Sequence, residues 1–175
     1  DLTLNQSALD MEAGFDELRG QGIGKLVGLA TPDNHGIAIH YSYPSIHGTW
    51  IVDGQVKDRV TYDTSPSFDR FQDNTEGWLE ILRDSGLQFD FIAYSHLEDG
   101  QLMKKNYETL ILPMSVALSD EEIKEIVRFV ESGGKVIADA LPGVMDEHCA
   151  FRTSPELQRL FGITVPEAGP EKIIA

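Results

Sequence analysis

The chain has 175 residues with 29 acidic and 14 basic side chains, which gives a formal net charge of −15. This acidity argues against nucleic acid and anionic membranes as partners, because phosphate binding needs clustered lysines and arginines. The length fits one domain, the single cysteine cannot form an internal disulfide, and no apolar run approaches the roughly 18 residues of a membrane span.

The first predicted elements are a helix and a buried strand. Residues 8–19 show loose helical spacing that ends at Gly20 and Gly22. The turn-forming segment 32–34 then leads into GIAIHYS at 36–42, a short apolar run that predicts a buried strand.

The next segment is ambiguous at first and then clearly helical. Within residues 49–63, Asp53-Gly54 is compatible with a tight hairpin turn or with a longer excursion. Ser65-Pro66 predicts a helix start, with a capping side chain followed by proline at the first helical position. Gly86 marks the expected end, although Gly77 could split this helix in two. The positions at three- and four-residue steps are Phe68, Phe71, Thr75, Trp78, Leu79 and Leu82.

The second half of the chain repeats this alternation. FDFIAYS at 89–95, TLILP at 109–113 and KVIADA at 135–140 are predicted strands, and the unbroken apolar character of TLILP indicates burial on both faces. Ser154-Pro155 begins a last short helix that runs to Phe161.

The clearest helix begins after Ser119. Ser119 and Glu122 have the spacing of a capping box, in which each side chain accepts a hydrogen bond from a free backbone N–H of the first turn. Gly133-Gly134 ends the helix. Its apolar stripe consists of Ile123, Ile126, Val127 and Val130.

Strands that alternate with helices, and that are continuously apolar, predict a parallel sheet with right-handed crossovers. We therefore expect one three-layer α/β/α domain over residues 1–175, without internal repeats or an interdomain linker.

Two runs carry a family resemblance: WLEILRDSGLQFDFI and NYETLILPMSVALSDEEIKEIVRFVESGGKVIADALPGVMDEH. Over about 36–163 the chain resembles the trimerisation domain of family 42 glycoside hydrolases, which are β-galactosidase-like enzymes. The resemblance implies a flavodoxin-like, class I glutamine amidotransferase-like fold with strand order 2-1-3-4. It also implies a homo-oligomer, by resemblance a trimer, and other domains of a parent enzyme, whose catalytic carboxylates lie in a barrel domain. The start at Asp1 rather than methionine fits an excised part of a larger protein.

The resemblance also allows a test for amidotransferase chemistry. In those enzymes the strand that follows the Gly-Gly turn ends in a Gly-x-Cys-x-Gly elbow, a strained turn in which the two glycines allow the backbone to expose the cysteine thiol. The matching segment here is 139–143, where Ala140 or Leu141 takes the place of the thiol, and no His-x-Glu follows His148. We therefore expect no catalytic residue in this domain. If the domain descends from such an enzyme scaffold, Leu141 and Pro142 should lie at the carboxyl end of a central strand.

The acidic segment that follows supports the same conclusion. Cys149 lies beside His148, but consecutive residues do not face each other, and Asp146 and Glu147 should raise the pKa of the thiol. Adjacent residues rarely converge on one ion, so this segment is interpreted as a solvated acidic turn rather than a metal site. No glycine-rich phosphate-binding motif is present, and no cofactor is predicted.

One candidate binding site remains, because ligands of open α/β sheets bind beyond the carboxyl ends of the strands. His40 and His47 flank an aromatic segment there, which either lines a crevice or packs under a loop or partner domain. We expect apolar side chains such as Met114 and Leu141 to fill or cover the crevice. Its predicted border is Ser42, Tyr43, Met114, Ser115 and Ala140.

Three functions follow from these patterns. The first is a non-catalytic scaffold or oligomerisation domain of a glycoside hydrolase. The alternative is a module that binds a sugar or another small polar molecule in the strand-end crevice. An amidotransferase-like hydrolase with displaced catalytic residues is the least favoured, because the elbow lacks a nucleophile.

Overall fold

The computed structural model describes residues 5–31, 33–56, 70–140, 142–153 and 156–163, and of 52–56 and 156 the backbone alone. The chain divides into two compact units, Asp1–Asp33 and Asn34–Ala175. In the described residues no helix is both long enough and apolar enough to cross a membrane.

The first unit contains two helices, α1 (Gln6–Gly20) and α2 (Ile23–Leu29). Asn5 caps α1 by accepting a hydrogen bond from the backbone N–H of Ala8. Neither helix contains a buried residue, so neither has a hydrophobic core of its own.

The second unit is built on four parallel strands. They are β1 (Ile37–Tyr41), β2 (Phe89–Ala93), β3 (Thr109–Leu112) and β4 (Lys135–Ala138). Their order is β2-β1-β3-β4. Helices flank the sheet, so the predicted α/β class and strand order 2-1-3-4 are confirmed, with GIAIHYS and TLILP as neighbours.

Helices of unequal length connect these strands. Between β1 and β2 lie α3 (Tyr43–Val56) and α4 (Arg70–Asp84), and between β2 and β3 lie α5 (Tyr94–Glu98) and α6 (Gln101–Lys104). The long helix α7 (Asp120–Glu131) joins β3 to β4, and α8 (Glu156–Leu160) follows β4.

Alternation along the strands divides the core between the two faces of the sheet. On one face Ile37, Ile39 and Ile111 pack with Leu82 of α4. On the other face Ala38 and Leu110 join a larger cluster with Ile123, Ile126 and Phe129 of α7. The two central strands, β1 and β3, are therefore apolar on both faces, which explains their unbroken apolar runs in the sequence.

The capping box of α7 is confirmed in both directions. Ser119 Oγ accepts from the backbone N–H of Glu122 at 3.2 Å, and Glu122 Oε2 accepts from the backbone N–H of Ser119 at 2.7 Å. Of the predicted stripe, Ile123 and Ile126 are buried, whereas Val127 and Val130 are half-buried.

We expect Ser119→Ala to lower the free energy of unfolding by about 1 kcal/mol, because the first turn of α7 loses its cap and Glu98 loses the hydroxyl donor of Ser119. Denaturant melts of the two proteins measure the difference. Ser132→Ala at the other end of the helix is a control for loss of a hydroxyl, since Ser132 Oγ donates only to a backbone carbonyl and a thioether. An effect of Ser119→Ala no larger than that of Ser132→Ala would contradict the capping role.

Four sequence predictions need correction. Within 49–63 no hairpin turn forms at Asp53-Gly54, because α3 continues to Val56; residues 57–63 lie outside the described part. The strands predicted at 89–95 and 135–140 end at Ala93 and Ala138. Gly77 does not split α4, which runs unbroken, while its predicted start at Ser65 is not described.

The fourth correction concerns the segment predicted to follow a central strand. Strand β4, which leads into Pro142, is an edge strand of the described sheet. The central strands of the sheet are β1 and β3, so the crevice of this fold lies at their carboxyl ends.

Candidate functional site

The crevice between β1 and β3 is filled by the protein itself. Ser42 is fully buried; its Oγ caps α3 by accepting from the backbone N–H of Ser45 at 3.2 Å and donates to the carbonyl of Ala117 at 3.3 Å. Ser45 Oγ donates to the same carbonyl at 2.9 Å and accepts from the N–H of Ala117 at 3.1 Å. The start of α3 is therefore tied directly to the segment after β3.

Packing closes the crevice from the other side. A Cβ added at Gly48 of α3 would lie 3.1 Å from Met145 Sδ and 3.6 Å from both Cys149 Sγ and Val116 Cγ2. Glycine at this position therefore lets α3 approach the segment that follows β4. Ala140 packs at the margin of the same cluster.

The five predicted crevice residues thus do not line one open site. Ser42, Met114 and Ser115 are buried and Ala140 is half-buried, whereas the side chain of Tyr43 is 56% exposed and faces a different groove. Leu141, which was expected beside them, lies outside the described residues.

A buried chain of hydrogen bonds, which the sequence did not predict, lies beside this crevice, and we call it the relay. His40 Nδ1 lies 2.9 Å from Ser115 Oγ, and His40 Nε2 lies 2.9 Å from Glu122 Oε1. All three residues are 1% exposed. Because a carboxylate can only accept, Nε2 is the donor to Glu122. Ser115 Oγ is the partner of Nδ1 and also lies 3.4 Å from the carbonyl of Pro113, to which it can donate. The relay continues through Ser119, whose Oγ donates to Glu98 Oε1 at 2.6 Å.

This order of hydroxyl, imidazole and carboxylate is the one that activates serine nucleophiles. A nucleophile must also be reached by its substrate, and the 1% exposure of Ser115 leaves no access to its hydroxyl. The relay joins β1 to the segment after β3 and to α7, so its role is structural.

The proposed elbow carries no strained residue at Ala140. The described non-glycine residues with positive φ are Asn106, Met114 and Cys149, with values of 55°, 39° and 63°. Of these, Met114 lies just after β3 and has no nucleophilic atom. Its N–H donates to Asp139 Oδ1 at 2.8 Å, and Trp78 Nε1 donates to Asp139 Oδ2 at 2.5 Å, so the expected elbow begins with a structural carboxylate.

Burial and a neighbouring carboxylate make the Cys149 thiol a poor nucleophile. Burial raises its pKa above the ordinary value, and the nearby charge of Asp146 raises the pKa further. Its Sγ lies 3.4 Å from the carbonyl of Pro44, while Asp146 Oδ1 accepts from the N–H groups of His148 and Ala150, at 2.9 Å each. Over the described ranges no group of three His, Cys, Asp or Glu side chains could hold a metal ion.

An open groove of about 1200 Å³ lies between α3, α4, α5 and the carboxyl ends of β1 and β2. We call it the aromatic groove and define it by Tyr41, Tyr43, Trp50, Phe71 and Phe91. The ring of Tyr41 contacts those of Tyr43, Phe71 and Phe91 edge-on, at centroid distances of 5.7, 6.3 and 6.3 Å. His47 lines the groove as well, so of the two histidines that flank the aromatic segment only His47 faces it.

A comparison with protein families matches residues 37–171 to the β-galactosidase trimerisation domain. A comparison with curated proteins finds no match. The family match covers most of the second unit, and it agrees with the resemblance that the sequence carries.

Solved structures with the same fold are β-galactosidases. Gan42B, a GH42 β-galactosidase, aligns with a TM-score of 0.61 and 20% identity, covering 89% of this chain and 22% of that one. β-Galactosidase from Bifidobacterium adolescentis aligns with a TM-score of 0.55 and 20% identity, covering 79% and 60%. β-Galactosidase from Bacillus circulans sp. alkalophilus aligns with a TM-score of 0.51 and 15% identity, covering 71% and 16%. The chain thus spans less than two thirds of each of these proteins.

Proposed function

Because the chain belongs to the β-galactosidase trimerisation domain family, we propose that it is the non-catalytic scaffold and oligomerisation domain of a larger β-galactosidase-like glycoside hydrolase. The observation that carries this proposal is the family match over residues 37–171. The partners are then the other domains of the parent enzyme and further copies of the same chain, in a trimer.

The chemistry of the described residues supports a non-catalytic role. The hydroxyl of Ser115 is buried, and the pKa of the Cys149 thiol is raised. Asp139 accepts hydrogen bonds from Met114 and Trp78. A retaining or inverting glycosidase needs two carboxyl groups that face one sugar-binding cleft. The aromatic groove offers one carboxylate, that of Glu76.

The geometry gives no support to a sugar-binding module in the strand-end crevice. Ser42 and Ser115, the polar residues at its border, are buried and hydrogen-bonded within the protein. A bound sugar needs donors and acceptors that converge on an accessible pocket.

We expect the chain on its own to hydrolyse neither glutamine nor chromogenic galactosides, since it lacks an accessible nucleophile with a base. In the full-length enzyme, Cys149→Ala should leave turnover unchanged. Steady-state kinetics test the non-catalytic role. Light scattering tests the oligomerisation role, since deletion of residues 36–163 from the full-length enzyme should reduce the mass of the assembly. Turnover by the isolated chain that disappears in Cys149→Ala would contradict a non-catalytic role.

A further inference from the structure

Four of the five rings that define the aromatic groove are open to solvent. Tyr41 is 36% exposed, Tyr43 56%, Trp50 57% and Phe91 50%. The groove lies at the carboxyl ends of β1 and β2, which is the end of an open α/β sheet where ligands bind. Because covering aromatic area is strongly favourable, a ligand that lies on these rings gains binding free energy from them.

The polar groups on the helical walls of the groove already have partners. Thr49 Oγ1 and Thr75 Oγ1 each donate to a carbonyl of their own helix, at 2.8 Å. Gln72 Nε2 donates to Glu76 Oε1 at 3.0 Å. These side chains therefore have little left to offer to a ligand.

The polar groups that remain available are carried by the ring side chains themselves. Within the described residues these groups hydrogen-bond to nothing in the protein, although they line the groove. They are the hydroxyls of Tyr41 and Tyr43, Nε1 of Trp50 and the ring nitrogens of His47 and His96. A ligand that packs on the rings can therefore form hydrogen bonds to the same side chains that it contacts.

Charge and hydrogen-bonding capacity restrict the class of ligand. None of the described lining residues is a lysine or arginine, and the chain has a net charge of −15, so an anion would be repelled. A purely apolar ligand would take the Trp50 N–H and the Tyr43 hydroxyl out of water without giving them partners, which is costly. Since the indole N–H only donates, whereas a tyrosine hydroxyl donates and accepts, the ligand must supply both acceptors and donors.

We propose that the aromatic groove binds an uncharged oligosaccharide. A pyranose ring presents C–H groups on its faces, which pack on aromatic rings, and hydroxyls at its rim, which both donate and accept. Pockets for drug-sized ligands measure about 300–1000 Å³, so a groove of about 1200 Å³ has room for several sugar rings. The site lies apart from the filled crevice between β1 and β3, and its existence does not depend on the proposed oligomerisation function.

An organic cation fits the same groove less well. The exposed ring faces could take part in cation–π contacts. However, the one carboxylate among the described lining residues, that of Glu76, already accepts from Gln72 through Oε1. A quaternary ammonium group would also leave the Trp50 N–H and the Tyr43 hydroxyl without partners, whereas sugar hydroxyls would satisfy both.

The test uses the 175-residue chain, so that the catalytic site of another domain cannot bind the sugar. Isothermal titration calorimetry measures the binding of two uncharged probes, a linear galactotetraose and cellotetraose; the choice of a galactan fragment rests on the proposed function. Tryptophan fluorescence is a second readout. Of the two tryptophans, Trp50 lines the groove, whereas Trp78 lies outside it and donates to Asp139.

Three variants separate ring stacking from hydrogen bonding. Trp50→Ala removes both the ring and its N–H, and Trp50→Phe keeps a ring but removes the donor. Phe151→Ala is the matched control, since it removes a ring that is 38% exposed but does not line the groove. Thermal melts report whether each variant is folded.

We expect at least one oligosaccharide to bind with a dissociation constant of about 1 mM or below. Trp50→Ala should raise this constant by about tenfold or more, Trp50→Phe by about threefold, and Phe151→Ala should leave it within about twofold.

Three results would overturn the proposal. The first is no binding of either oligosaccharide at about 10 mM. The second is binding that a folded Trp50→Ala variant leaves unchanged. The third is choline or an octaproline peptide that binds more tightly than both oligosaccharides, which would indicate a cation or a peptide site instead. Each of these results leaves the oligomerisation role untouched, because the mass of the assembly tests that role separately.

Discussion

Replacing His40 with leucine should lower the free energy of unfolding by about 3–5 kcal/mol, because it leaves the buried Glu122 carboxylate without one of its donors. His40 Nε2 donates to Glu122 Oε1 at 2.9 Å, and both side chains are 0–1% exposed. Leucine supplies a similar volume but no donor, so the Glu122 carboxylate would remain buried with one oxygen unpaired. Urea or guanidinium melts at neutral pH measure the loss.

A double variant separates the charge from the packing. Glu122→Gln removes the charge but keeps an oxygen that can accept from the N–H of Ser119, as glutamine does in other capping boxes. We therefore expect His40→Leu/Glu122→Gln to be more stable than His40→Leu by about 1–2 kcal/mol. Ser115→Ala, which leaves Nδ1 without its hydrogen-bond partner, should cost about 1–3 kcal/mol. A loss below about 1 kcal/mol for His40→Leu would show that the relay does not hold β1 to α7.

The sequence predicted half of this relay. Ser119 and Glu122 are three residues apart, so local spacing was enough to predict the capping box. The contact of Glu122 with His40 joins residues 82 positions apart. No local pattern encodes such a contact, and the capping role alone appeared to account for Glu122. In the structure, Oε2 makes the cap and Oε1 accepts from His40.

The sequence around the start of α3 contains a helix-capping signal, but the segment was interpreted as a loop. Ser42 is a typical capping residue, and its Oγ does cap α3, with Pro44 at the second helical position rather than the first as in Ser65-Pro66. Tyr41 and Tyr43 instead suggested an aromatic loop, and Asp53-Gly54 suggested a turn. The packing of Gly48 against Met145 and Val116 favours helix here, and only the folded chain reveals it.

The strand order, in contrast, followed from the sequence because it depends on patterns repeated along the chain. Apolar runs alternate with helices, and the family resemblance supplied the order of the strands. The position of β4 at the edge was a consequence of that same order, so the expectation of a central strand before Pro142 contradicted it. The aromatic groove could not be predicted, since its walls come from five separate elements.

The second large effect concerns the core on the α7 side of the sheet. Replacing Ile126 with alanine should lower the free energy of unfolding by about 2–5 kcal/mol, through lost burial and the cavity that remains. Ile126 is 0% exposed and belongs to the cluster that includes Leu110 and Phe129, so little room exists for collapse around it. Chemical denaturation of the two proteins measures the difference.

The matched control is the same change on a helix surface, because it removes the same three carbons. Ile81 of α4 is 58% exposed, and Ile81→Ala should alter the free energy of unfolding by no more than about 0.5 kcal/mol. The contrast between the two sites depends on burial alone, since helix propensity changes equally in both. If Ile126→Ala were as mild as Ile81→Ala, α7 would not pack on the sheet through this stripe. The relay of His40, Glu122 and Ser119 would then be the main attachment of α7 to β1, and the cost of His40→Leu should exceed the range given above.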